Sequence, residues 1–371
     1  MNLINRGSEV KRPTFRGIQA LRGFAACMVV IHHATQQWSL YAVGGGLSLF
    51  WANGAAGVDI FFVISGFVMA MSTIGSEHKT HPALNFLGRR LIRVVPLYWV
   101  ITFIFLFKLE LLRRFPGFQN GPRLVEAPFG YILSSLFFIP YRNSLDTIAP
   151  LVVAGWTLSY EMFFYLLFAG ALALRVGVAR ALTPVLITLA AVGLFYKESW
   201  PTLTVLASPL LMEFLAGLLL GHVMIKGYRL NATASLVLGI LALPALLLFV
   251  SPWDTANMRF LEWGIPAFLL VLATAMTEER LGRFWPRWVL LLGDASYSLY
   301  LSHLLVIAFL IKIFIRSHIW SVGVVRRQDE ILTALVCLFV STLVAIPLYL
   351  LIEKRITKIL RRKLMGEDEP A

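Results

Sequence analysis

The chain has 371 residues, 58% of them hydrophobic and only 14% charged, with a mean hydropathy of +0.76. Soluble domains run at roughly 45–50% apolar and about 25% charged, so the surplus apolar sequence has to face lipid, and a soluble globular protein is excluded. The net charge is +13, but the Lys and Arg lie between apolar runs, as the positive-inside rule expects, and the basic balance calls for no nucleic-acid partner.

The chain opens on a basic head, MNLINRGSEVKRPTFR. It resembles the start of a signal peptide. The apolar run behind it is long, however, and no convincing small-residue cleavage site follows, so it reads as a retained first helix. Apolar segments lie near 17–40, 57–74, 94–112, 129–141, 156–174, 181–196, 203–225, 232–250, 260–276, 288–311 and 331–352. Crossing a hydrocarbon core of roughly 30 Å takes about 20 residues. FGYILSSLFFIPY, residues 129–141, is too short to cross, and 181–196 is marginal. With 129–141 left out of the count, the basic clusters at the two ends and at 88–93, 175–180, 226–229 and 280–287 all fall on one side.

The expected fold is therefore all-α. It is a polytopic membrane helical bundle of about ten transmembrane helices plus one short interfacial or re-entrant segment, with both termini cytoplasmic. Residues 1–15 and 353–371 are cytoplasmic tails around an integral membrane domain of 16–352. Arg113, Arg114, Arg123, Arg316, Arg326 and Arg327 fall on the outer side; they are exceptions to the charge rule or contacts for an anionic acceptor. Cys27 and Cys337 lie far apart in apolar runs, with no disulfide or metal spacing, and no metal is expected. No internal repeat marks a transporter.

The ionisable residues inside the apolar runs point to chemistry. In LRGFAACMVVIHHATQ, Arg22 and His33 are eleven residues apart. That is about three helical turns, so they share a face roughly 16 Å apart along the axis, and His32 points about 80° away. An arginine at the inner mouth can hold an anionic donor, and an imidazole near the outer face can act as a general base. Structural hydrogen bonding within the bundle explains the pair equally well.

Asp59 in GAAGVDIFFVISGFVM opens the second run; it either orients His33 or caps its own helix. Ser65 and Gly66 are small enough for close helix packing. GRRLIRVVPLYWV starts the third span, with Arg90 and Arg93 on one face of a helix whose first turn holds Pro96. Clustered arginines grip phosphate or simply anchor the inner face. In WTLSYEMFFYLL, Glu161 sits four residues from Tyr165, within reach of it. Glu213 and His222 read as internal polar pairing groups. LGDASYSLYLSHLL places Ser296, Tyr300 and His303 on one face, a polar stripe suited to a cavity wall.

Taken in order, Arg22 and His33, GVDIFFVISGF, RRLIRVVPLY, WTLSYEMFFY and LGDASYSLYLSH resemble the membrane-bound acyltransferase-3 family over nearly the whole chain. GIQALRGFAA resembles its exopolysaccharide-modifying branch; many relatives have Asp-Gly-Leu-Arg-Ala where this chain reads Gly17-Ile18-Gln19-Ala20-Leu21-Arg22-Gly23. The resemblance implies an O-acyltransferase of the bacterial cytoplasmic membrane. It implies acetyl-CoA or another acyl-CoA as co-substrate, no bound cofactor, and a glycan or lipid-linked oligosaccharide as acceptor. Polysaccharide assembly proteins are possible partners. Residue by residue, His33 matches the family's essential histidine and Arg22 its paired arginine. Arg90 and Arg93 match the donor-side arginines, and Glu161 the acidic residue of the Trp-x-Leu-Ser-x-Glu pattern. Asp59 is the further catalytic candidate, and Ser65, Tyr165, Ser296, Tyr300 and His303 are expected to line the cavity. A covalent acyl-serine at Ser65 or Ser296 is an alternative to direct transfer, though no nucleophile-elbow motif supports it. A secondary transporter and a non-catalytic assembly subunit are the competing classes.

Overall fold

The computed structural model describes residues 15–39, 52–74, 81–115, 126–248, 259–317 and 327–366. Among these the chain is almost wholly helical, with one isolated β-bridge between Arg142 and Ile148. Six helices are long and apolar enough to cross a membrane. They are α2 (Gly57–Ser72, led in by a 3-10 turn), α3 (Pro82–Arg114), α5 (Trp156–Ala173), α9 (Ile265–Leu281), α11 (Ser296–Arg316) and α12 (Arg327–Leu348). Three shorter apolar helices are α6 (Val178–Gly193), α7 (Leu211–Ile225) and α8 (Ala232–Leu248). The first helix, α1 (Arg16–Ser39), is long but carries Arg22, His32 and His33, which dilute its apolar character. It packs against α2, α9, α11, α12 and the short α10 (Arg287–Asp294), so it runs through the interior of the bundle. That explains how its ionisable groups are tolerated: they face protein rather than lipid.

The segment at 129–141 forms only α4 (Phe129–Leu136), eight residues that rise about 12 Å. α3 holds it by two side chains, Tyr98 Oη donating to the Ser135 carbonyl (3.0 Å) and Trp99 Nε1 to that of Leu136 (2.9 Å). Arg123 and Arg326 lie outside the described residues, as does the head before Phe15.

Three boundaries differ from the sequence reading. α3 begins at Pro82, where a proline fits the first turn because its missing N–H has no intrahelical partner. Pro96 is therefore inside that helix and not in its first turn, while Arg90 and Arg93 share the helix as expected. The 288–311 run breaks at Ala295 into α10 and α11. Finally, the helical chain does not stop at 352. A π-turn at Tyr349–Glu353 leads into α13 (Lys354–Met365), giving a 37-residue rod over Asp329–Met365.

Packing is tightest where glycines meet. A Cβ on Gly66 would lie 2.0 Å from the Phe214 carbonyl oxygen, and one on Gly217 would lie 1.9 Å from that of Val63. α2 and α7 therefore touch backbone to backbone, the mode small residues permit in membranes. Beside this seam an aromatic cluster fills the core. Phe86 stacks on Phe168 (4.6 Å between centroids), Phe164 on Phe214 (4.8 Å), and Phe62 leans on Phe214 (4.7 Å). Such pairs contribute about 0.5–1.5 kcal/mol each beyond buried area.

Candidate active site

α1, α2, α3, α5, α11 and α13 enclose a cavity of about 520 Å³. Along α2 its walls run from Val58 to Ser72, a depth on the order of 20 Å. Its two ends differ. One carries Arg89, Arg90 and Arg93 from α3, with Lys354 and Arg361 from α13. The other closes against Val58, Thr157 and Tyr300. In all, six cations (Arg22 included) and three carboxylates, Glu161, Asp294 and Glu353, line it among the described residues. An excess of guanidinium and ammonium groups in a partly dry cleft favours an anionic ligand.

Each charge is held by its helix and a neighbour. Arg90 lies over the rings of Phe86 and Tyr165, 5.6 and 5.7 Å from their centroids. Tyr165, one turn on from Glu161, donates a short hydrogen bond to its carboxylate, and Ser65 Oγ of α2 donates to the same oxygen at 3.0 Å. Glu161 thus ties α5 to α2 in the middle of the cavity. Arg22 donates to Gln19 Oε1 at 3.3 Å, and the Gln19 amide in turn donates a short hydrogen bond to Asp294 at the end of α10. Glu353, buried in the π-turn, accepts from Ser298 Oγ at 2.6 Å. Ser296 also faces the cavity, and its buried hydroxyl has no hydrogen-bond partner among the described residues.

The structure brings Arg22, Ser65, Arg90, Arg93, Glu161, Tyr165, Ser296 and Tyr300 to this one cavity. It places three other expected residues elsewhere. His33 is half-buried and His303 fully buried, and neither lines the cavity. Their rings lie together with centroids 5.2 Å apart, and His32 meets His33 edge-on at 5.0 Å. His33 Nδ1 is 3.1 Å from Gln36 Oε1, one turn on. In the tautomer with the hydrogen on Nδ1, that nitrogen donates to Gln36 and Nε2 keeps the lone pair. His303 Nδ1 faces the Tyr300 carbonyl at 2.6 Å, and its Nε2 is buried without a partner among the described residues.

Asp59 is the third. It sits in the first turn of α2, yet its carboxylate is taken up by Arg259, at 3.0 Å from Nε and 2.7 Å from Nη2. Arg259 also donates to the Ala55 carbonyl (3.0 Å) and covers the Trp263 ring at 4.8 Å. Glu213, fully buried, lies beside this pair, against Gly264. His222 is nine residues further along α7 and half-exposed. No group of three or more His, Cys, Asp or Glu suited to a metal occurs among the described residues.

Sequence reasoning did not single out Gln19, Asp294, Tyr297, Glu353, Lys354 or Arg361. Asp294 and Glu353 had a signal, a carboxylate within or at the end of an apolar run. Lys354 and Arg361 had none, because a basic helix after a last span reads as inner-face charge.

Residues 15–350 match the acyltransferase domain family Acyl_transf_3. The chain is 31% identical over 319 residues to the exopolysaccharide production protein ExoZ of Rhizobium meliloti, covering 81% of this chain and 89% of that protein. It is 31% identical over 159 residues to the O-acetyltransferase OatA of Staphylococcus aureus, 41% of this chain and 24% of OatA. Nodulation protein 10 of Rhizobium leguminosarum bv. viciae is 30% identical over 161 residues, 39% of this chain and 41% of that protein. No solved structure matches the chain. With the family match running from the first helix to the end of the last long one, this membrane protein belongs to the acyltransferase-3 family.

Proposed function

We propose that the protein moves an acetyl or other short acyl group from cytoplasmic acyl-CoA to a hydroxyl of an exported or lipid-linked glycan such as an exopolysaccharide. The observation that carries this reading is the polarity of the cavity. Cations gather at one end, and the other end closes one residue short of an imidazole pair. Arg89, Arg90, Arg93, Lys354 and Arg361 suit the phosphates of a nucleotide thioester. The acyl end then lies towards Tyr300. The names of the relatives, one an exopolysaccharide production protein and one an O-acetyltransferase, favour a sugar hydroxyl as acceptor.

In this reading His33 Nε2 takes the proton as the acceptor oxygen attacks the thioester carbonyl. The C–O bond forms, the C–S bond breaks, and the proton passes on to the departing thiolate. Ser296 Oγ has no hydrogen-bond partner among the described residues, so nothing there activates it, which favours direct transfer over an acyl-Ser296. Glu161 organises Ser65, Tyr165 and, through that ring, Arg90. The ten-crossing topology with both termini cytoplasmic fits the helices: six long, three shorter and α1. It sets the arginine end inward in the bacterial inner membrane.

The test is turnover of radiolabelled acetyl-CoA in membranes, with an extracted glycan as acceptor. Wild type and His32→Ala should label the glycan, and His33→Ala should not. Equal labelling by all three would remove His33 from the chemistry. No labelling by any of them, with a competent acceptor present, would remove the acyltransferase reading of the substrates.

A further inference from the structure

Tyr300 stands between the cavity and the histidine pair. It is part of the cavity wall. On its other side the ring lies 5.8 Å from that of His303, which rests on His33. A third ring, Phe61, closes against it at 6.0 Å. The hydroxyl is held by two partners: it lies 2.9 Å from the Ala154 carbonyl, which accepts from it, and 3.0 Å from Thr157 Oγ1, where either oxygen can donate, and Thr157 Oγ1 is itself 3.2 Å from the same carbonyl. Tyr300 is buried, and the bonds tie α11 to the turn at the head of α5.

The chemistry gives this position a consequence. A thioester within reach of an imidazole base is hydrolysed whenever water, rather than a sugar hydroxyl, occupies the attacking position. His33 is half-buried and its partner Gln36 is exposed, so the histidine side opens to the surface of the bundle. The cavity wall next to it is aromatic. We propose that Tyr300, latched by Thr157 and Ala154, is the partition that keeps the donor thioester from water, and so decides between acyl transfer and hydrolysis. Hydrolysis here is attack by water on the thioester carbonyl, giving free carboxylic acid and CoA thiol. The proton of water goes to His33 and on to the thiolate. Tyr300 acts by position and forms no bond to the acyl group. The inference rests on the proposed donor and base.

The experiment compares two rates in the same membranes: label reaching glycan, and CoA thiol released with no acceptor present. Wild type should transfer label and release little thiol alone. Tyr300→Ala removes the ring, and acceptor-independent release relative to transfer should rise about tenfold or more, the scale of one lost barrier contact. Tyr300→Phe and Thr157→Val keep the ring and loosen the latch, and should raise the same ratio by about twofold to fivefold. If Thr157→Val and Tyr300→Phe leave the ratio at the wild-type value, the partition is wrong, whether or not Tyr300→Ala folds. If both rates fall together in Tyr300→Ala, Tyr300 supports the fold or the reaction without sorting water from acceptor, and the partition is again wrong. Failure of wild type to transfer any label would instead strike the proposed function itself.

Discussion

Arg259 grips Asp59 with two nitrogens at 2.7 and 3.0 Å, across two hundred residues of chain. Asp59 is fully buried. Removing one partner of such a pair strands the other charge, at a cost of about 3–5 kcal/mol. Asp59→Ala should therefore lower the melting temperature of the detergent-purified protein sharply. Asp59→Ala with Arg259→Ala should cost less than the two single changes added together. Additive losses would mean the carboxylate and guanidinium act separately.

The seam between α2 and α7 gives a second test. Gly217→Ala would place a Cβ 1.9 Å from the Val63 carbonyl oxygen and 2.8 Å from the Phe67 nitrogen. Both are helix backbone and neither can swing aside. The loss should exceed the roughly 1–3 kcal/mol of ordinary overpacking, seen as failure to purify as a monodisperse peak. Gly170→Ala is the control, since nothing stands within 4 Å of its added carbon. It should be neutral or slightly stabilising, by up to about 1 kcal/mol, because alanine favours helix.

Arg90 is held by its planar faces, over Phe86 and Tyr165. A lysine keeps the charge and loses the stacking and the paired donors. Arg90→Lys should therefore behave nearly as badly as Arg90→Ala. Donor KM should rise about tenfold or more, equivalent to about 1.4 kcal/mol, with kcat changing less. Steady-state kinetics against acetyl-CoA concentration would show it. A lysine variant indistinguishable from wild type would reduce Arg90 to a point charge.

Arg361 makes the fourth case. Its Nε is buried and has no hydrogen-bond partner among the described residues, and its side chain lines the cavity. Nothing described in the fold is held by that nitrogen, so Arg361→Ala should leave stability within about 0.5 kcal/mol of wild type. Donor KM should rise roughly fivefold or more, as for a lost charge-assisted contact. An unchanged KM would place the donor away from α13.

The sequence carried those features in which a helix repeats its own geometry. Glu161 and Tyr165 are four residues apart and do touch. Arg90 and Arg93, three apart, face one cavity, and so do Ser296 and Tyr300. His303 belongs to the same stripe, but one further turn carries it past the cavity wall to His33. Contacts between distant segments were not legible. Arg259 lies beyond a long stretch of chain from Asp59, and no spacing joins them. Glu353 and the cations after it looked like a tail, because helix continuation through a π-turn leaves no mark on charge pattern. The helix start at Pro82 was missed for a related reason: the polar first turns before Arg89 hide a helix that only later becomes apolar.

The depth of the cavity makes the bundle a ruler. From Arg22 to His33 along α1 is about 16 Å, and Arg22 shares the cavity with the cations of α3 and α13. On the proposed function, a donor clamped by its phosphates presents its thioester at Tyr300 only if the linking arm has the matching length. Small thioesters that lack the phosphate end would enter, yet nothing would hold them at the right height. Their deficit should appear in kcat as well as in KM, because remote binding here serves to place the reacting atoms. Selection among donors then depends less on the shape of the acyl group than on the distance between two charges and a ring.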